Sequence, residues 1–194
     1  MAFVQRCTDF GDERHSIFAF VPRPACEDAP DLKFRDVYRL FRQKWKVHFG
    51  WDLFLPLHDT DSHLMKTLRV PLSESRVEFE QQVLTLAKLV VDSLNEAEIS
   101  KLLATDVADE KGIGKLERWL SQEGFDARQV TETLRRIQSL RSKMSAHRKG
   151  SDFDKFLSNL GISDSPLIAV ANLLWEAIAM LETMAAFFGL DLTY

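Results

Sequence analysis

Apolar residues recur at helical spacing along almost the whole stretch from Ser73 to Phe188, and the breaks fall at helix-stop and helix-start residues. That periodicity leaves little room for a sheet. Phe79, Val83, Leu86, Val90 and Leu94 form one stripe on a predicted helix over 73–93 that Ser73 can cap. Asn95 and Glu98 have capping-box spacing ahead of a short helix with Ile99, Leu102 and Leu103. After a charged loop over 105–112, Leu116, Trp119 and Leu120 mark a short helix from Ile113 to Glu123, ended by Gly124. Asp126 is placed to cap a longer helix, to about 147, carrying Val130, Leu134, Ile137, Leu140 and Met144. A short helix over 152–160 closes at Gly161. Ser165-Pro166 then supplies a cap and a first-turn proline for a helix running to Phe188, with Gly189 as its stop. Only 8 glycines and 6 prolines in 194 residues point the same way. The fold class read from this is all-α, a bundle of four to five main helices.

The first 70 residues are less regular. Phe34, Val37, Tyr38, Phe41, Trp45 and Phe49 predict a helix over 32–49, which Gly50 can end. Residues 51–72, with Pro56 and Pro71, read as an extended connector carrying Trp51, Leu53, Phe54 and Leu55 into a core. Ser16 to Val21 reads as a short strand stopped by Pro22 and Pro24, followed by a loop to Pro30. The expected organisation is an N-terminal segment, 1–70, whose helix packs as a further member on a helical domain, 71–194.

A chain of this length buries roughly 70% of its unfolded surface and needs no disulfide or metal for stability. Cys7 and Cys26 show no ligand spacing, so the sequence predicts a reducing, cytoplasmic setting. The N-terminus acquires charge too early for a signal peptide. The most apolar segment, Pro166 to Phe188, is interrupted by Asn172, Glu176 and Glu182 and reads as a core helix rather than a membrane span. No cofactor and no membrane partner are expected.

The chain is acidic, with a formal net charge of −4, yet no acidic residue lies between Glu132 and Asp152. That interval holds Arg135, Arg136, Arg141, Lys143, Arg148 and Lys149, a local field that attracts anions. Within it stand Arg141 and His147. Histidine moves protons near neutral pH, and the planar guanidinium of arginine matches a phosphate. Six helical positions separate the two by about 9 Å and about 120° around the axis, so one copy does not close them onto a single atom. Two copies related by a two-fold axis can present both pairs to one groove.

Arg141-x5-His147, late in a helical bundle, resembles the mark of the HEPN superfamily, and the resemblance covers about 73 to 190. It implies a metal-independent endoribonuclease acting as a homodimer with the motif at the interface, in toxin–antitoxin or antiphage systems and with a possible cognate antitoxin or regulatory protein. Ser142 departs from the Asn or Asp common after the arginine in active members. Arg148 and Lys149 follow His147 where nucleotidyltransferase-controlled toxins carry a nearby tyrosine, so that control does not carry over. The implied chemistry gives His147 proton transfer at a ribose 2′-OH or at the leaving 5′-oxygen. Arg141 would stabilise charge on the phosphate. Lys143, Arg148 and Lys149, with Arg136 on the same helix, would hold flanking phosphates of RNA. Two alternatives stand beside this. One is a HEPN-like module that binds RNA or nucleotide, or dimerises, without cleaving. The other is a helical interaction domain in which Arg141 meets an acidic neighbour and His147 complements the negative end of a helix.

Other candidates are weaker. His58-Asp59-Thr60-Asp61-Ser62-His63 offers four potential metal ligands in six residues but reads as a polar turn. Arg35, Arg39, Arg42 and Lys46 form a second basic stripe, either an RNA track with Tyr38 and Trp45 for stacking or the solvated shoulder of a core helix. Gly112-Ile-Gly114 is too short for a phosphate loop. Trp175, Phe187 and Phe188 read as core or dimer interface.

Overall fold

The first and last helices of the bundle lie side by side. The computed structural model describes residues 29–105, 107–145, 151–159, 161–162 and 165–193. The expected strand Ser16–Val21 lies outside the described residues. Among the described residues, eight α-helices follow in order: α1 (Pro30–Phe49), α2 (Leu64–Thr67), α3 (Arg76–Val90), α4 (Glu96–Leu102), α5 (Gly112–Gln122), α6 (Arg128–Ser145), α7 (Ser151–Asn159) and α8 (Pro166–Phe187). The protein is an all-α bundle. α1 packs on α8, and α3 packs on both α6 and α8.

α1 starts two residues before the predicted boundary because Pro30 suits the first turn, and Gly50 ends it at φ 80°, donating its N–H to the Lys46 carbonyl. The predicted stripe faces inward: Phe34, Val37, Tyr38, Phe41 and Trp45 are all buried. One core continues from these residues into the bundle. Trp45 meets Trp119 of α5 edge-on at 5.8 Å and Phe188 at 5.4 Å, and the Tyr38 hydroxyl donates to the Leu89 carbonyl of α3 at 2.8 Å.

The connector is held along its length. Leu53 and Phe54 are buried, while Leu55, expected inside with them, is exposed. An isolated antiparallel bridge pairs Phe54 with Leu94, flanked by bonds from the Leu55 N–H to the Ser93 carbonyl and from the Asn95 N–H to the Leu53 carbonyl. Asn95 therefore does two things. Its amide nitrogen donates to the Asp52 carbonyl at 2.9 Å, and its amide oxygen accepts the Glu98 N–H, capping α4. The reciprocal half of the expected capping box is absent, because the Glu98 carboxylate pairs with Lys101 at 2.6 Å instead.

The hydroxyls of the two serines expected as caps go to glutamates instead of to helix N–H groups. α3 begins at Arg76, and Ser73 donates both its N–H and its hydroxyl to Glu78. Ser165 does stand at the N-cap position of α8 with Pro166 in its first turn, as expected, but its hydroxyl goes to Glu74 at 3.0 Å rather than to the helix, tying the α8 start to the approach of α3. α6 begins at Arg128, whose N–H and side chain both reach Asp126.

Candidate functional site

α6 carries the described part of the Arg–His pattern. Val130, Leu134, Ile137, Leu140 and Met144 are buried, as their spacing predicts, and this sets the rotation of the helix. Arg141 then falls on a flank, with its side chain 43% exposed. Its Nε lies 3.1 Å from Oδ2 of Asp92 in the turn that follows α3. The backbone N–H of Asp92 donates to the Ala87 carbonyl at 3.0 Å, so the turn presents the carboxylate from a fixed backbone. This ion pair sets the guanidinium beside the carboxylate. The acidic-neighbour alternative for Arg141 is thus met in the fold.

His147, Arg148 and Lys149 lie outside the described residues. Lys143 is described: its Nζ sits 5.4 Å from the centroid of the Phe156 ring of α7, a cation–π contact across the two helices. Arg136, expected among the RNA contacts, is drawn into the bundle. Its Nη1 donates to Glu176 Oε1 of α8 at 2.7 Å, and only 19% of its side chain is exposed. Burial pushes the Glu176 carboxyl up from its ordinary value, and Arg136 partly offsets this. Arg135 pairs with Glu117 of α5. The structure therefore puts Arg141 at an exposed flank beside Asp92 and Lys143 against Phe156, while Arg136 joins α6 to α8.

The second basic stripe clamps the connector. Arg35 donates to the Leu68 carbonyl at 2.6 Å, and Arg42 donates to the Phe54 carbonyl at 3.0 Å. Arg42 and Lys46 both face Asp52, at 3.8 and 2.9 Å, and Arg39 pairs with Asp36 at 3.2 Å. Tyr38 and Trp45, the stacking candidates, are core residues. Burial raises the Tyr38 phenol to about 12, against smaller lowering effects from Arg42 and Ser93.

The His58–His63 segment forms a 3-10 turn, and the Thr60 N–H donates to Nδ1 of His58. Among the described residues, no three His, Cys, Asp or Glu side chains are grouped to hold a metal. Gly112 and Gly114 serve packing at the start of α5. A Cβ at Gly112 would stand 2.8 Å from the Glu96 side chain.

Asp92, Phe156 and Asp52 escaped the sequence reading. Each acts through a contact with another element, and none belongs to a local motif. Comparison with protein-family models, with characterised proteins and with solved structures gave no match.

Proposed function

We propose that this chain is a metal-independent endoribonuclease of HEPN type, acting as a homodimer with Arg141 and His147 lining a groove shared between the protomers. The observation that carries the reading is the setting of Arg141. It stands on an exposed flank of α6, is oriented by Asp92, and lies within a sequence interval that has cations and no acids. In the proposed reaction the ribose 2′-oxygen attacks the adjacent phosphorus and the bond to the 5′-oxygen breaks. The products are a 2′,3′-cyclic phosphate and a 5′-hydroxyl end. His147 moves the proton at one of these oxygens, and Arg141 stabilises the charge that builds on the phosphate. Lys143, Arg148 and Lys149 hold neighbouring phosphates. A toxin or antiphage role with a regulatory partner belongs to the same proposal.

The test is incubation of wild-type, Arg141→Ala and His147→Ala protein with a mixed RNA pool in EDTA. The reading requires cleavage by wild type alone, with cyclic phosphate ends. A second reading, a HEPN-like module that binds RNA or nucleotide without cleaving, is favoured by the carboxylate of Asp92 already facing Arg141 and by Ser142 beside it. Binding without cleavage by a folded wild-type protein would establish it.

A further inference from the structure

α3 is enclosed on most of its circumference, but one stripe stays open. Val77 is 74% and Leu84 39% exposed, with exposed Gln81 between them. Spacings of three and four residues keep the three on one side of the helix. Together with Leu64 at the start of α2, the stripe walls an open groove of about 490 Å³. Asp61 and Lys88, paired at 2.6 Å, stand at its polar rim. A cavity of about 150 Å³ holds one benzene ring, so this groove has room for two aromatic side chains. Apolar residues gathered along one helix face mark an interaction surface better than the same residues scattered singly.

The start of the described chain lies beside this groove. Arg35, in the second turn of α1, donates to the Leu68 carbonyl at 2.6 Å. Leu68 ends α2, and its N–H returns to the carbonyl of Leu64 in the groove wall. Six helical positions put Ala29 about 9 Å from Arg35, and four put Leu68 about 6 Å from Leu64. Residues 1–28 lie outside the described residues. Their longest unbroken apolar run is Ile17-Phe18-Ala19-Phe20-Val21, and seven residues separate it from Ala29. Seven extended residues reach up to about 25 Å, far enough to return the run to the groove.

The run and the groove also match in spacing. In an extended segment, Phe18 and Phe20 fall on one side, about 7 Å apart. Val77 and Leu84 are about 10 Å apart along the axis of α3, so two neighbouring rings fit along the stripe. Seating them there takes apolar surface of both partners out of water.

We propose that Ile17–Val21 of this same chain occupies the groove, with Phe18 and Phe20 lying along Val77, Gln81 and Leu84. The N-terminal segment is then a strap across α2 and α3, and it covers the open face of the helix whose following turn carries Asp92. The inference does not depend on the ribonuclease reading.

The test uses the full chain with the photo-crosslinker p-benzoylphenylalanine in place of Phe18, and in a second preparation in place of Phe20. Each is irradiated as an equal mixture of light and isotopically heavy protein. Crosslinks are expected to peptides holding Leu64 or the Val77–Leu84 stripe, within chains of one isotope. Val77→Ser with Leu84→Ser, both at exposed positions, should remove most of that yield with an unchanged circular dichroism spectrum. If this pair loses its helical spectrum, Leu84→Ser alone supplies the comparison. Crosslinks confined to mixed-isotope pairs would put a second copy in the groove and overturn the proposal. Crosslinks only to other parts of the chain, no crosslink from either position, or a yield indifferent to Leu84→Ser overturn it as well. RNA cleavage plays no part in the readout, so the ribonuclease reading and the strap stand or fall separately.

Discussion

Oδ2 of Asp92 lies 3.1 Å from Nε of Arg141, so the arginine that heads the motif is anchored to the turn ending α3. In the proposed nuclease, Asp92→Asn loosens the guanidinium without removing it. Misplacement of a catalytic group by about 1 Å costs roughly 100-fold, and loss of a charge-stabilising donor costs about 100- to 1,000-fold. Cleavage should therefore fall by about 10- to 100-fold in Asp92→Asn and further in Arg141→Ala. Thermal denaturation should show both variants within about 1 kcal/mol of wild type, because the pair is partly open to solvent and water screens it.

The connector clamp gives a different outcome. Arg42 joins α1 to the Phe54 carbonyl and faces Asp52, with its side chain mostly covered. Arg42→Ala should cost about 1–2 kcal/mol, a melting shift of about 2–8 °C for a chain of this size. Arg39→Ala, on the exposed side of the same helix, should stay within about 0.5 kcal/mol. Calorimetry of the two variants side by side checks the contrast.

Tyr38 titrates late because ionisation would place a phenolate in the core. Its ordinary value of 10.0 is pushed up to about 12. The neutral phenol belongs to the folded state, so its contribution is complete below pH 10 and is lost as pH rises toward 12. Ultraviolet titration should show Tyr38 silent until the upper end of that window. Tyr38→Phe should remove part of the alkaline loss while costing about 0.5–1.5 kcal/mol at neutral pH, since Ser93 also donates to the Leu89 carbonyl.

Asp126 shows the opposite sign. Hydrogen bonds from the Arg128 side chain and backbone bring its carboxyl down from 3.8 to about 2. Its contribution is present above pH 3.8 and disappears as pH falls toward 2. Carbon-detected NMR titration should find this value, and Arg128→Ala should return it toward 3.8.

Helix identity was legible wherever one face repeats, as in Phe34–Trp45 or Val130–Met144, because burial of a stripe is written every three to four residues. Helix starts were less legible. Ser73 and Ser165 look like caps locally, yet each hydroxyl found a glutamate, and the competition between those bonds is decided by tertiary placement. Arg35, Arg42 and Lys46 fit a nucleic-acid track in sequence, though such a stripe is more often a helix shoulder. The choice depended on Asp52 and two backbone carbonyls arriving from the connector. Arg141 could be singled out from its charge surroundings, but Asp92 is 49 positions away and carries no motif, so only the packing of α3 on α6 reveals it.

The pairing of α1 with α8 also sets an order of assembly. Trp45 is sealed partly by Phe188, and Lys33 reaches Glu182, so contacts that complete the first helix come from the last. During synthesis, the aromatic face of α1 must wait for nearly the entire bundle to leave the ribosome before its cover is complete. Until then the part of it facing Phe188 is exposed apolar surface, the kind that chaperones bind and that aggregation exploits. Such sequence-distant closure slows folding relative to bundles built from neighbouring hairpins, and it makes α8 the lock of the fold.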